Sequence, residues 1–234
     1  HCQRPDGSLT QITEKGKVVV ATGIKPHTDK MGLENIGLSL NKGGHVEVNA
    51  TMQTNLPHIF AAGDVAHTPA YVYTAASEGK TAVETAFTSV DEQDKVLPLG
   101  EDLGGAYFSL PWVVFTDPQV AGAGLDEVQA EAQNVPFEVS KLELKDVPRA
   151  IAAHDTRGFI KLIRNPETDR LIGARIVAPE GGELIQQLSM AIKYGITVKD
   201  LAESFYPYLT LGEGIKLAAL TFGKDVSKLS CCAS

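Results

Sequence analysis

Between Lys17 and Gly23 the residues Val18, Val19, Val20 and Ala21 run without a polar break, a pattern that predicts a short strand buried on both faces. Strands of that kind belong to parallel sheets, and Gly23 would close this one with a turn. After Pro26 the pattern loosens into a loop. The alternation of Gly44, Val46, Val48 and Asn49 then predicts a short solvent-facing strand. Thr54 to Val65 predicts an apolar strand that runs through Ile59, Phe60, Ala61 and Ala62 into Gly63 and Asp64. From Tyr73 to Phe87 the residues Ala75, Ala76, Gly79, Ala82, Val83 and Ala86 predict a helix whose small side chains allow close packing.

Asp91 to Gly105 is polar, carries Pro98, Gly100, Gly104 and Gly105, and predicts a linker. Beyond it the pattern changes to antiparallel strands with helices. Strands are predicted at Val113 to Phe115, Phe137 to Leu144, Gly158 to Arg164 and Leu171 to Val177, with a hairpin turn over Asn165 to Asp169. Glu183 to Tyr194 has a helical apolar face and stops at Gly195. Thr197 with Asp200 forms a capping-box pattern for the next helix, and Gly212 to Phe222 predicts the last. No internal repeat or low-complexity tract interrupts this order.

Composition narrows the function classes. The 234 residues are 43% hydrophobic with mixed charges, as in an ordinary globular protein. Lys and Arg number 21 against 29 Asp and Glu, a net charge of -8 with no basic run, which argues against nucleic acid and anionic membrane as partners. No stretch has the length of a transmembrane helix and no leader precedes the first strand, so a cytoplasmic protein is expected. The opening at His1 rather than Met suggests a piece cut from a longer chain.

The candidate chemistry lies in two places. Gly63 lets a ligand approach the backbone, and Asp64 supplies an acceptor at the carboxyl end of its strand; an Asp that simply caps a turn has the same local pattern. At the other end of the chain stand Cys231 and Cys232. Adjacent Cα atoms sit about 3.8 Å apart, too close for a relaxed disulfide. As thiolates the pair are soft ligands suited to monovalent copper, zinc or a heavier thiophilic ion. An incidental surface pair, or a lipidated or oxidation-prone tail, would leave the same trace. The histidines His1, His27, His45, His58, His67 and His154 are scattered without metal-ligand spacing, and Trp112 reads as an interface or core anchor.

Ala21-Thr22-Gly23, Asn55-Leu56-Pro57 and Ala62-Gly63-Asp64-Val65 resemble the end of the pyridine-nucleotide domain and the second flavin-binding segment of the flavoprotein disulfide reductases. Phe115 to Ala121 and Gly173 to Val177 resemble the interface domain of the same family. The resemblance implies remnants of FAD/NAD(P)-binding Rossmann-like domains (α/β) over 1–103, then an α+β dimerisation domain with an antiparallel sheet over 104–234. It implies FAD and NADP(H) as cofactors and a homodimer whose active site is shared between subunits. Asp64 would accept from a ribityl hydroxyl of FAD beside Gly63, and Val72 would offer backbone contact to the isoalloxazine edge. Neither Gly-x-Gly-x-x-Gly fingerprint is present, Gly122-Ala123-Gly124 being the nearest run, and no Cys-x-x-x-x-Cys occurs. A complete member needs these, so this chain corresponds to a second half.

Tyr206-Pro207-Tyr208-Leu209-Thr210 followed by Glu213 occupies the place of the family's His-Pro-Thr and Glu. There the His serves the exchanging thiols as acid and base, and the Glu orients it. Tyr208 stands at the His position, and a phenol with a reference pKa of about 10 is a poor proton shuttle at neutral pH. Tyr208 with Cys231-Cys232 is similar to the branch of the family that reduces Hg(II). That similarity implies capture of Hg(II) from thiolate complexes by the Cys pair, and delivery toward the flavin of the other subunit. The alternatives are another flavoprotein disulfide or dihydrolipoyl oxidoreductase, or a non-catalytic dimerisation and metal-binding module.

Overall fold

Alternating apolar residues, local turn signals and two capping boxes build the second part of the chain. The computed structural model describes residues 2–3, 6–11, 13, 15–88 and 107–224, which fall in two units, His1–Val96 and Leu97–Ser234. The expected linker at Asp91 to Gly105 lies outside the described residues, as do Cys231 and Cys232.

In the first unit a two-stranded antiparallel pair joins β1 (Cys2–Gln3) to β2 (Leu9–Thr10). The strand expected at Lys17 to Gly23 is absent. Val18, Val19 and Val20 are 79%, 86% and 76% exposed, and none of the described residues pairs with them. An apolar run becomes a doubly buried strand only when neighbouring strands and a covering layer receive it. The two later strand expectations also reduce to isolated bridges, Leu40 to Val46, Val46 to Ala66 and Gln53 to Phe60. A short 3-10 helix, Gly63–Val65, stands where the third strand was expected to end. Helix α1 spans Val72–Phe87, as the sequence predicts. Its buried face, however, is Thr74, Glu78, Thr81 and Thr85 rather than the alanines.

The second unit is a five-stranded, wholly antiparallel sheet built from β3 (Trp112–Val114), β4 (Gln119–Gly124), β5 (Glu138–Glu143), β6 (Phe159–Arg164) and β7 (Leu171–Ala178). Their spatial order is β3-β4-β7-β6-β5. The hairpin turn between β6 and β7 forms as expected, with the Asn165 side chain accepting from Glu167 and Thr168 N–H. In sequence, helix α2 (Glu127–Ala132) stands between β4 and β5 and α3 (Pro148–Ala152) between β5 and β6, while α4 (Gly181–Lys193), α5 (Val198–Glu203) and α6 (Glu213–Leu220) follow β7. Helix α4 packs on β4 and β7, and α6 on β5 and β6. Leu142, Ile160, Leu162, Ala174, Ile176, Ile185, Leu188 and Ile215 form one buried core between them. Thr197 and Asp200 exchange side chain-to-backbone hydrogen bonds at the start of α5, the expected capping box.

Strand β4 escapes the hydrophobic pattern because its centre is Ala121-Gly122-Ala123-Gly124. The glycines are required by contact. A Cβ on Gly122 would meet the Trp112 ring at 2.4 Å, and one on Gly173, across the ladder in β7, would meet the Leu125 carbonyl oxygen at 1.8 Å. This run is therefore a sheet seam and not a dinucleotide fingerprint. On the outer face Arg175 lies 5.7 Å from the Trp112 ring centroid, and Lys161 donates to Glu127 at 2.6 Å, which ties α2 to the strands.

Two predictions follow from this packing. Gly173→Ala should cost about 3 kcal/mol through overpacking, read as a lower urea midpoint at constant slope; an unchanged midpoint contradicts the seam. Arg157, bonded to both Asp155 and Asp117, holds the Asp155 carboxyl at about 2, below its ordinary 3.8. A depressed carboxylate contributes stability that is present above its unfolded value and lost as pH falls through its folded one. Arg157→Leu should therefore flatten the fall in stability between about pH 4 and pH 2; an equally steep fall in the variant contradicts the pairing.

Candidate functional site

In the first unit the chain reaches Ala62 extended, turns left-handed at Gly63 (φ 75°), and enters the 3-10 turn that carries Asp64. Gly63 is buried, and a Cβ there would stand 3.1 Å from the Ala75 Cβ on α1. Its N–H donates to the Glu78 carboxylate at 2.6 Å. Asp64, the next residue, is exposed, and its carboxylate has no partner among the described residues. Val72 opens α1, with no side chain capping the helix at Tyr71. The first N–H groups of α1 are therefore left without intrahelical partners, at the end of the helix that favours negative charge. Thr74, one turn in, is buried with its hydroxyl unpartnered among the described residues, as is the Thr68 hydroxyl. The structure thus brings Gly63, Asp64 and α1 together, where they offer a carboxylate acceptor, free N–H donors and spare hydroxyls.

Glu78 and Thr74 were not among the residues singled out from the sequence. The sequence pattern points the other way, since the polar spacing Thr74, Glu78, Thr81, Thr85 on one helical face ordinarily marks a solvated side.

The second unit carries Tyr208 and Glu213. Tyr208 is 66% exposed, and its phenol has no hydrogen-bond partner among the described residues. Leu209 follows in the left-handed region at φ 59°, and its N–H donates to the Glu213 carboxylate at 2.8 Å. Glu213 is buried at the start of α6. It thus fixes the backbone immediately after Tyr208 and does not touch the phenol. Thr210 closes the same turn by donating its hydroxyl to the Pro207 carbonyl at 2.9 Å. Tyr206 packs against the core, and burial pushes its phenol up. Below this loop lies a cavity of about 650 Å³ lined by Arg149, Glu180, Glu183, Gln187 and residues 209–212.

Cys231 and Cys232 lie outside the described residues, and the Cys2 backbone pairs with Thr10. Among the described residues no three His, Cys, Asp or Glu side chains converge as a metal site. His45 and His67 stand with ring centroids 5.0 Å apart. No helix among the described residues is long and apolar enough to cross a membrane.

Comparison with known proteins matches residues 5–79 to the pyridine nucleotide-disulphide oxidoreductase model and residues 110–219 to that family's dimerisation domain. The chain is 45% identical over 222 residues to a mercuric reductase of Shewanella putrefaciens, covering 93% of this chain and 37% of that protein. It is 44% identical over 223 residues to a mercuric reductase of Staphylococcus aureus, covering 95% and 39%. Among solved structures it resembles LpdA from Mycobacterium tuberculosis with a TM-score of 0.73 and 28% identity, over 86% of this chain and 41% of that one. The chain thus spans well under half the length of these proteins.

The Glu213 geometry generates a test. Glu213→Ala leaves the Leu209 N–H without its acceptor and should cost about 1–3 kcal/mol, with amide exchange accelerating first at residues 208–211. Unchanged stability and exchange would contradict the anchoring role.

Proposed function

We infer from the family to which the chain belongs, the pyridine nucleotide-disulphide oxidoreductases, that it works within an FAD- and NADPH-dependent enzyme that reduces Hg(II) to Hg(0). The observation that carries this reading is Tyr208, held out to solvent on a turn locked by Glu213. A phenol at that place is a poor base for dithiol exchange. Transfer of a soft two-coordinate ion between thiolate pairs needs sulfur ligands and no strong general base. The similarity to mercuric reductases along nearly the whole chain supports the same substrate.

The residues of the first unit fit FAD. Asp64 would accept from a ribityl hydroxyl, Gly63 would leave the backbone open to close approach, and the uncapped start of α1 at Val72 would offer N–H donors to the edge of the ring system. The unpartnered Thr74 and Thr68 hydroxyls are further groups such a ligand would satisfy. When bound, FAD supplies the two electrons that it receives from NADPH. The positive end of α1 favours the anionic charge that goes with reduction. In the second unit Tyr208 offers an oxygen that steers or transiently ligates the metal ion, and Glu213 holds the turn that presents it. Cys231 and Cys232 capture Hg(II) from thiolate complexes and hand it on.

The active assembly in this reading is a cytoplasmic homodimer. The match to a dimerisation domain supports it, as do the exposed Phe205, Tyr208 and Leu209, an apolar edge suited to burial against a second subunit. The exposed Val18 to Val20 and the Val72, Val83 and Phe87 face of α1 support a first unit that is covered by further protein.

The test replaces both tail cysteines in the full-length enzyme. Cys231→Ala with Cys232→Ala should lower kcat/KM for Hg(II) by about tenfold or more when a competing thiol holds the metal, with FAD content unchanged. Kinetics identical to wild type under those conditions would refute delivery by the pair.

A further inference from the structure

Helix α1 is packed with its polar side inward. Thr74, Glu78, Thr81 and Thr85 are buried, while Val72, Val83 and Phe87 are exposed. A carboxylate with no solvent exposure, as Glu78 has, is retained only where hydrogen bonds replace its water. One of the Glu78 oxygens accepts the N–H of Gly63, 15 residues upstream, at 2.6 Å. An acceptor at that distance makes a short, strong hydrogen bond.

What it holds is a turn that only glycine adopts easily. At φ 75° Gly63 takes the chain from the extended Ala62 into the 3-10 turn, and its N–H points to Glu78 on α1. The following residue, Asp64, is left on the outside with a free carboxylate. The same bond also fixes the 3-10 turn against the first turns of α1, where Ala75 closes on Gly63. The acceptor at Asp64 and the uncapped N–H groups near Val72 are thereby set relative to each other by one side chain.

We propose that Glu78 is a positioning residue for the flavin: by holding the Gly63 N–H it orients the turn that aims Asp64 at the ribityl chain. The proposal rests on the reading of Asp64 as the ribityl acceptor. Glu78 acts through Asp64, so the two substitutions are coupled rather than additive.

The test is a double-mutant cycle on the FAD dissociation constant of the full-length flavoprotein, read by recovery of flavin fluorescence on release. Asp64→Ala and Glu78→Ala should each weaken FAD binding by about tenfold. The double variant should be no weaker than the weaker single, because the second substitution removes an interaction already lost. Glu78→Gln keeps an acceptor at the same reach and should stay within about threefold of wild type. Amide exchange at Gly63 should accelerate in Glu78→Ala and not in Glu78→Gln. If Glu78→Ala does not fold, Glu78→Asp, which draws the carboxylate back by one methylene, carries the same cycle. Losses that multiply in the double variant, or an unchanged FAD affinity in Glu78→Ala, overturn the proposal and leave Glu78 a purely structural group. An unchanged affinity in Asp64→Ala overturns the ribityl assignment on which it rests.

Discussion

A buried glutamate that accepts the N–H of a left-handed residue anchors each candidate site. Glu78 receives the N–H of Gly63 at φ 75°, and Glu213 receives that of Leu209 at φ 59°. Both donors sit in a backbone conformation that is costly for residues with a side chain, the more so for Leu209. Both bonds run to a helix, α1 and α6, so a rigid element fixes an irregular one. In each case the residue beside the anchored N–H, Asp64 or Tyr208, is exposed and unpartnered among the described residues. Each candidate residue is thus left exposed beside a backbone that a buried glutamate holds.

The scaffold around Glu213 explains why that helix stays in place. Ile215 and Ala218 on α6 are fully buried in the core that also contains Leu142, Ile160 and Leu162. Gly214 lies against Ile160 and Val147, where a Cβ would stand 2.7 Å from Ile160 Cδ1 and force that side chain to shift. Ser140 on β5 donates to the Ala218 carbonyl at 2.6 Å, a further tie from sheet to helix. The loop that carries Tyr208 is thus mounted on a helix held in the buried core of the second unit.

How far the sequence revealed this depended on the range of the forces involved. The β6–β7 hairpin, the α5 capping box and the Gly195 stop were legible because each is decided by residues within a few positions of one another. Strand β4 was not, since Gly122 and Gly124 make sense only beside Trp112 and Ile172, which are brought there by the ladder. Val18 to Val20 illustrate the converse, an apolar run whose strand character depends on partners it does not have among the described residues. Asp64, Tyr208 and Glu213 were legible as motif members. Glu78 was not, because an acidic residue on a polar helical face ordinarily meets solvent, and its burial with Thr74, Thr81 and Thr85 comes from the packing of α1.

In the proposed reading a phenol, Tyr208, stands where the resemblance implies an imidazole, and the central proposal therefore concerns substrate: a soft metal ion rather than a disulfide. The most direct measurement supplies the full-length enzyme with NADPH and thiol-bound Hg(II), and follows NADPH oxidation together with mercury vapour, beside a parallel assay with disulfide substrates. The account predicts Hg(0) released in step with NADPH consumed and little or no disulfide reduction. Rapid disulfide reduction without release of Hg(0) would contradict it.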